Sequence, residues 1–515
     1  MKVMFANVHS IMFRCFRLII AVGILYLLGI VPSTLLADNL CNGQVGAWTN
    51  GTIWSQGREP IVSETATIYN NGHVTITENG EAVNNLRPGL NNTGTVEILS
   101  GTLFIDNDAE IGYNSGGNGI LIQSGGDVIV DHAFYCGRTA GGHGTYRLSG
   151  GTITNNGNWY IAGNPNTKGT LEVSGDSHLY GSTMYLGQND SATMHQTGGN
   201  VALSDWVYMA ASVGVESSYQ LDGGRLYANL QIGRNGSATF TQTGGTNEAL
   251  TLLAIGYYAG ATGTYNMVGG EAIVATAFSI GNNGVGVFNF GDADSTGTIQ
   301  ERVETDLFIG RYTGSKGTLR GWGTIDLSGY IYNMGRVIAD GYGTDRTLNF
   351  SSMNRYIQND RANAGNDGWF AQDHGKLVLP AMPVNYGHNY WGDEGNLDLI
   401  NAVDIDLKSG GGTVTGSLLA PDHGSVPEGL FLLNAWEFTG GTCTADFTFL
   451  YDEESLSAQK LDETNLSIWR HDGTNWINVT ATLDAVNNKI TTTTVDPGLF
   501  AVGRRSIMGT IILVE

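Results

Sequence analysis

Cations are scarce in this chain. Lysine and arginine number 25 of 515 residues against 48 aspartates and glutamates, a formal net charge of −23. A nucleic-acid grip or a basic lipid-surface patch needs clustered positive charge, so neither is expected. Charged residues of both signs make up only 14% of the sequence, yet apolar residues reach 41% and no Gly-X-Y triplet organises the 75 glycines. That balance fits neither plain disorder nor collagen. Of four cysteines, Cys15 falls in the N-terminal stretch expected to be removed on export, and Cys41, Cys136 and Cys443 remain at spacings with no metal or redox pattern. At most one disulfide can then form, and the fold must stand on its core. Also missing are a His-Glu-x-x-His metal helix, a Gly-x-Ser-x-Gly elbow and a Cys-x-x-Cys pair. The run from Gly310 to Gly317 has the wrong order for a phosphate loop, and the calcium-like start at Asp292 has Val303 where a bidentate Glu is needed.

Only the N-terminus carries a long apolar run. Lys2, Arg14 and Arg17 precede Leu18 to Val31, followed by Pro32 and Leu35-Leu36-Ala37, after which the composition turns polar. This is the grammar of an export signal cut after Ala37, which places the rest of the chain outside the cell or on its surface. Leu18 to Ala37 is also just long enough to span a bilayer if left uncleaved. With the leader removed, no membrane span is expected.

What the chain has in abundance is self-similarity. The unit Gly144-Thr145-Tyr146-Arg147-Leu148-Ser149-Gly150-Gly151 returns at Gly169, Ser218 and Gly263 with the same alternation. Its first apolar position recurs at Val96, Leu121, Tyr146, Leu171, Met194, Tyr219, Phe240, Tyr265 and Phe288, 21 to 25 residues apart. An Ile-Gly column, from Ile111-Gly112 to Ile309-Gly310, keeps step with it. Each unit holds three short alternating runs separated by Gly, Asn and Ser, which reads as three strands and three corners. About two dozen residues with three strands form one coil of a parallel β-helix, the next coil stacking about 4.8 Å above. Ten to twelve such coils make a rod on the order of 50 Å long. A propeller is the competing architecture, but its blade needs four strands and about 40 residues.

Alternation assigns the faces. Tyr146, Leu148, Trp159 and Ile161 point inward; Arg147 and Tyr160 point out, and the equivalents Glu172, His195, Gln220, Thr241 and Asn266 are suitably polar. Gln123, Gln196 and Gln242 interrupt the inner column and are expected to satisfy corner backbone groups or one another.

The Gly-Thr-x-x-x-Ser-Gly-Gly units, with Trp48 and Trp54-Ser55, resemble the Gly-rich right-handed β-helix repeats of secreted bacterial autotransporter-like, adhesin-like and pectin-lyase-like proteins, over about residues 46 to 345. Such repeats carry adhesins, passengers and polysaccharide enzymes alike, so the resemblance implies architecture more than activity. From about Leu397 the strands lengthen into seven runs, expected to form an antiparallel β-sandwich. Its text, including Phe449-Leu450-Tyr451-Asp452-Glu453 and Leu466-Ser467-Ile468-Trp469-Arg470, is similar to C-terminal modules of bacterial surface proteins. The expected organisation is therefore a leader over 1–37, a β-helix over 38–350, an irregular connection over 351–396, the sandwich over 397–505 and a tail over 506–515.

Register singles out two outward constellations. The residue before the Ile-Gly column is Tyr135, Tyr160, Tyr185 and Tyr208 in four consecutive coils. Stacked rungs turn these into a tyrosine strip that either stabilises the coil stack or binds a polysaccharide, a cell-surface glycan or a protein through rings and hydroxyls. Asp106, Asp131 and Asn156 follow equivalent corner glycines in three successive coils. Oxygens at that spacing could hold calcium, or could be a corner ladder bonded to nearby backbone. The functional expectation is a secreted or surface-bound, non-enzymatic β-helix for adhesion or glycan binding. The alternative is a polysaccharide lyase or hydrolase, against which stand outward columns poor in Lys and Arg.

Overall fold

A computed structural model describes residues 38–505 apart from 295–299, 304–305, 328, 345, 351–356, 359–368, 374, 391–402, 420–429, 452–455 and 458–459. The expected leader and tail lie outside the described residues. The described chain is nearly all strand, with single 3₁₀ turns at Gly51–Ile53 and Glu463–Asn465. None of its helices is long and apolar enough to cross a membrane.

Each repeat becomes three strands, and each strand pairs in parallel with its counterparts one repeat away. On the first face the inner column runs Leu121, Tyr146, Leu171, Met194, Tyr219, Phe240, Tyr265 and Phe288 in unbroken register. Val128, Ile153, Leu179, Val201 and Leu226 do the same on the second face. Phe134, Trp159, Met184 and Val207 do so on the third. The result is a parallel β-solenoid of about 12 turns followed by a sheet module. Parallel pairing between successive repeats excludes the propeller.

The interior is a continuous apolar column. Tyr146, Leu148, Trp159 and Ile161 are all buried, and Phe134 packs against both Tyr146 and Trp159 with ring centroids 5.1 and 4.6 Å away. Higher up, Tyr219, Phe240, Tyr265 and Phe288 follow one another with centroids 5.0 Å apart, the first two contacts edge to face and the third tilted. Each such ring contributes roughly 1.5–3 kcal/mol by burial. At the corners the chain passes so close to a neighbouring coil that side chains are excluded. A Cβ on Gly157 would lie 1.3 Å from the carbonyl oxygen of His132, and Gly112 combines a φ of +75° with a carbonyl oxygen 2.0 Å from its would-be Cβ.

The three inner glutamines form a repeated device. Gln123 donates from Nε2 to the carbonyls of Gly126 and Thr152, each at 3.0 Å, and its Oε1 accepts from the hydroxyl of Tyr146 at 2.6 Å. Gln196 serves Gly199, Arg225 and Tyr219 in the same way. So does Gln242 with Gly245, Glu271 and Tyr265. The expectation that they hold corner backbone groups is met, and the amide partner is a tyrosine of the next coil rather than another glutamine. Cys41, Cys136 and Cys443 are buried free thiols.

The two ends are finished differently. Trp48 and Trp54 pack edge to face at 5.2 Å, and Trp54 Nε1 donates to the Trp48 carbonyl at 2.8 Å. At the other end the second-face rung Lys376–Val378 pairs antiparallel with Ser417 and Leu418, so on that face the solenoid sheet continues into the module. Two strands expected at Leu397–Leu407 and Thr413–Leu419 are one, Val403–Leu419, which pairs with Thr442–Phe449 through its first part and with Ala435–Thr439 through its second. A register shift between Leu407 and Ser409 falls within the pairing with the first partner, and the strand passes to the second beyond Gly410-Gly411-Gly412. The segment expected to be irregular contains rungs Ile357–Gln358 and Trp369–Asp373, and strands Met382–Val384 and Gly387–Tyr390 lie against Val403–Leu419.

Two outcomes follow from this core. Gln196→Leu strands two carbonyls and a tyrosine hydroxyl; a loss of about 2–3 kcal/mol in urea denaturation is expected, and Tyr219→Phe in the Gln196→Leu background should add less than it does alone. Glu81, buried near Glu59 and Glu78, has its carboxyl pushed from 4.5 up to about 7, first by desolvation and then by these like charges. The native state holds that proton more tightly than the unfolded chain, so stability falls as pH rises from 4.5 to about 7 and the penalty is complete above. Glu81→Gln should raise stability at pH 8 by on the order of 1–2 kcal/mol and flatten that part of the profile, read by thermal melts across pH.

Candidate functional site

The third face carries the tyrosines. Its outward column reads Glu110, Tyr135, Tyr160, Tyr185, Tyr208 and Gln231, each the direct register partner of the next. The flanking inner residues are buried while the four tyrosines are half-buried, so the strip points out as alternation requires. Tyr135 and Tyr160 stack with centroids 4.8 Å apart and planes 14° from parallel, Tyr160 and Tyr185 at 5.2 Å and 11°, and Tyr208 tilts by 50° at 5.3 Å. Gly163 makes room at the adjoining corner, where a Cβ would lie 3.1 Å from that of Tyr160 and 3.5 Å from the Tyr135 ring.

Both ends of the stack are closed by guanidinium groups. Arg138 lies 3.8 Å from the Tyr135 centroid and Arg234 lies 3.8 Å from that of Tyr208. The ring faces are therefore taken, and the strip offers its edges and hydroxyls. Asn158 Nδ2 donates to the Tyr160 hydroxyl at 3.1 Å, and Trp206 widens the strip by stacking on Tyr208 at 5.6 Å. Burial pushes the phenols of Tyr135 and Tyr208 upward against the pull of Arg138 and Arg234, so both remain hydrogen-bond donors at neutral pH.

Below the strip is a buried ionic network. Glu110 pairs with Arg87 and lies 3.4 Å from Arg138 Nε; Asp108 accepts from Arg138 Nη1 at 2.9 Å and pairs with His132 Nδ1 at 2.6 Å. Arg87 also lies over the Tyr113 ring at 4.3 Å. Desolvation raises the Glu110 carboxyl above the ordinary range although both arginines pull it down. His132 keeps its ring exposed.

Asp106, Asp131 and Asn156 are exposed at successive corners, and Asn156 Nδ2 donates to Asp131 Oδ1 at 2.7 Å. Among the described residues no group of three or more His, Cys, Asp or Glu side chains comes together to hold a metal ion.

Neither arginine was anticipated, yet a signal for Arg138 exists. Tyr135-Cys136-Gly137-Arg138 recurs as Phe308-Ile309-Gly310-Arg311, and there Arg311 lies 4.2 Å from the Phe308 centroid while Phe308 stacks on Tyr332 at 4.8 Å. The glycine turns the chain so that an arginine three residues on folds back over the aromatic ring.

No protein-family model matches the chain, and neither a curated protein nor a solved structure matches it.

Arg138→Ala removes a partner of two buried carboxylates and one cover of the tyrosine stack. A loss of about 2–4 kcal/mol at neutral pH is expected. Denaturation at lower pH should recover part of it, because the Glu110 carboxyl, already raised by desolvation, takes up a proton more readily once one of its two arginines is gone.

Proposed function

We propose that the protein is an exported, non-enzymatic β-solenoid that adheres to extended carbohydrate through its outer faces, a secreted or surface role akin to that of autotransporter-like adhesins. The observation that carries this reading is the clamped tyrosine strip, four phenols in register along the axis with half-exposed edges. A row of fixed hydroxyls at one-rung spacing suits a ligand that is itself a chain, because successive ligand units meet equivalent groups without reordering the protein. With the ring faces closed, contact is by hydroxyls and ring edges rather than by stacking on sugar C–H groups. The nearby buried carboxylates, Asp108 and Glu110, are engaged by Arg87, Arg138 and His132, which supports binding over acid–base chemistry.

Replacing Tyr160 and Tyr185 together by Phe keeps the ring stack and deletes two hydroxyls. Retention on a polysaccharide array should fall at least fivefold with the melting temperature unchanged. Wild-type retention by the double variant removes the strip from the binding surface.

A further inference from the structure

The first face holds a groove on the opposite side of the corner that carries Arg138 and Arg234. On this face one column is glycine in most coils, because a Cβ there would meet the backbone of the coil beneath; for Gly94 the carbonyl oxygen of Ile68 would lie at 2.0 Å. In three consecutive coils the register partners are instead Ala192, Ser217 and Ala238, after which Gly263 restores the pattern. An open trough of about 470 Å³ lies over that interruption. Its lining spans four coils, and eight of its eleven residues are Ser or Thr, with two Ala and Glu216.

The middle of the trough is a ladder of outward hydroxyls. Thr193, Ser218, Thr239 and Thr264 are successive register partners and follow the solenoid axis. Ser217 is also in the lining, but its hydroxyl is enclosed within the protein, so the hydroxyls within reach of a ligand are those of the ladder, at Thr193, Ser218, Thr239 and Thr264.

The lining also says what does not fit. It contains no Lys, Arg or His, so phosphate, sulfate and uronate chains meet only Glu216. It has no aromatic ring for an apolar or stacking ligand. The strands beneath are paired on both sides, so an extended peptide finds no free backbone edge to join.

We infer that this trough binds a neutral carbohydrate chain laid along the solenoid axis, its hydroxyl groups meeting one Ser or Thr hydroxyl per coil. The site lies on a different face from the tyrosine strip and shares with it only the class of ligand.

The test uses the full-length chain on an array of neutral linear glucans, xylans, mannans and galactans beside oligogalacturonate. The expected result is retention of at least one neutral glycan, lowered at least tenfold in the Ser218→Arg/Thr239→Arg variant, which fills the trough from exposed positions. The near-isosteric Thr193→Val/Thr239→Val variant deletes hydroxyls without changing shape and should lower retention severalfold with an unchanged melting temperature. The Tyr160→Phe/Tyr185→Phe variant reports on the other face separately. If retention falls only in the tyrosine variant, the trough inference is overturned and the strip stands. Retention of oligogalacturonate alone, or of no glycan at all, also overturns it.

Discussion

The contact between each corner and the coil beneath it sets the rest of this structure. Where a strand ends, the chain turns directly over the preceding turn, and at positions such as Gly112 and Gly157 the gap admits a hydrogen but no methyl group. That closeness keeps successive strands at hydrogen-bonding distance on all three faces. It also fixes the register, because a coil slipped by one residue would drive a side chain into a carbonyl and turn every inner residue outward. The abundance of glycine is thus a steric requirement of stacking. So is the persistence of columns: equivalent residues are neighbours in space because the corners leave no alternative.

Within that frame, polar groups are handled by repetition. The corner carbonyls of Gly126, Gly199 and Gly245 face the interior, where water is absent, and each is met by a glutamine amide. An amide buried for that purpose still has an oxygen to satisfy, and a tyrosine 23 residues later supplies the hydroxyl in all three cases. The tyrosine can stay in the apolar column because its ring contributes to the aromatic stack while its tip is bonded. The same economy operates outside, where Arg138 both neutralises Asp108 and covers Tyr135.

Much of this was legible in the sequence because a solenoid converts sequence period into spatial adjacency. Two columns in phase were enough to order the coils, and the outward tyrosines follow once the inner apolar residues are assigned. The glutamine partners were half legible: the need for a partner was clear, while the tyrosine required noticing that Gln123, Gln196 and Gln242 are each followed by Tyr at the same offset. Legibility failed where contacts leave the column. Arg234 reaches back one coil to Tyr208, and the Asp108 and Glu110 network crosses a corner, so neither follows from a repeat spacing. In the C-terminal module the pairing is antiparallel and non-periodic. There the alternation of Val403–Leu419 marked strands correctly but could not show that Gly410-Gly411-Gly412 lies within one, since glycine ordinarily signals a turn.

The corner constraint also explains why a groove exists at all on an otherwise even rod. A parallel sheet wound at constant spacing presents flat faces, and flat faces offer a ligand no walls. Ala192, Ser217 and Ala238 place Cβ atoms where the neighbouring coils tolerate only hydrogen, and the trough lies over that stretch. Filling that position with three small residues in succession, then returning to Gly263, confines the departure to a few coils and leaves the register above and below intact. The chain sustains it because the inner column there, Met194, Tyr219 and Phe240, remains fully packed and carries the glutamine bond from Gln196. The interior thus holds the stack together along these rungs, and the outer surface is free to carry a row of hydroxyls in a recess.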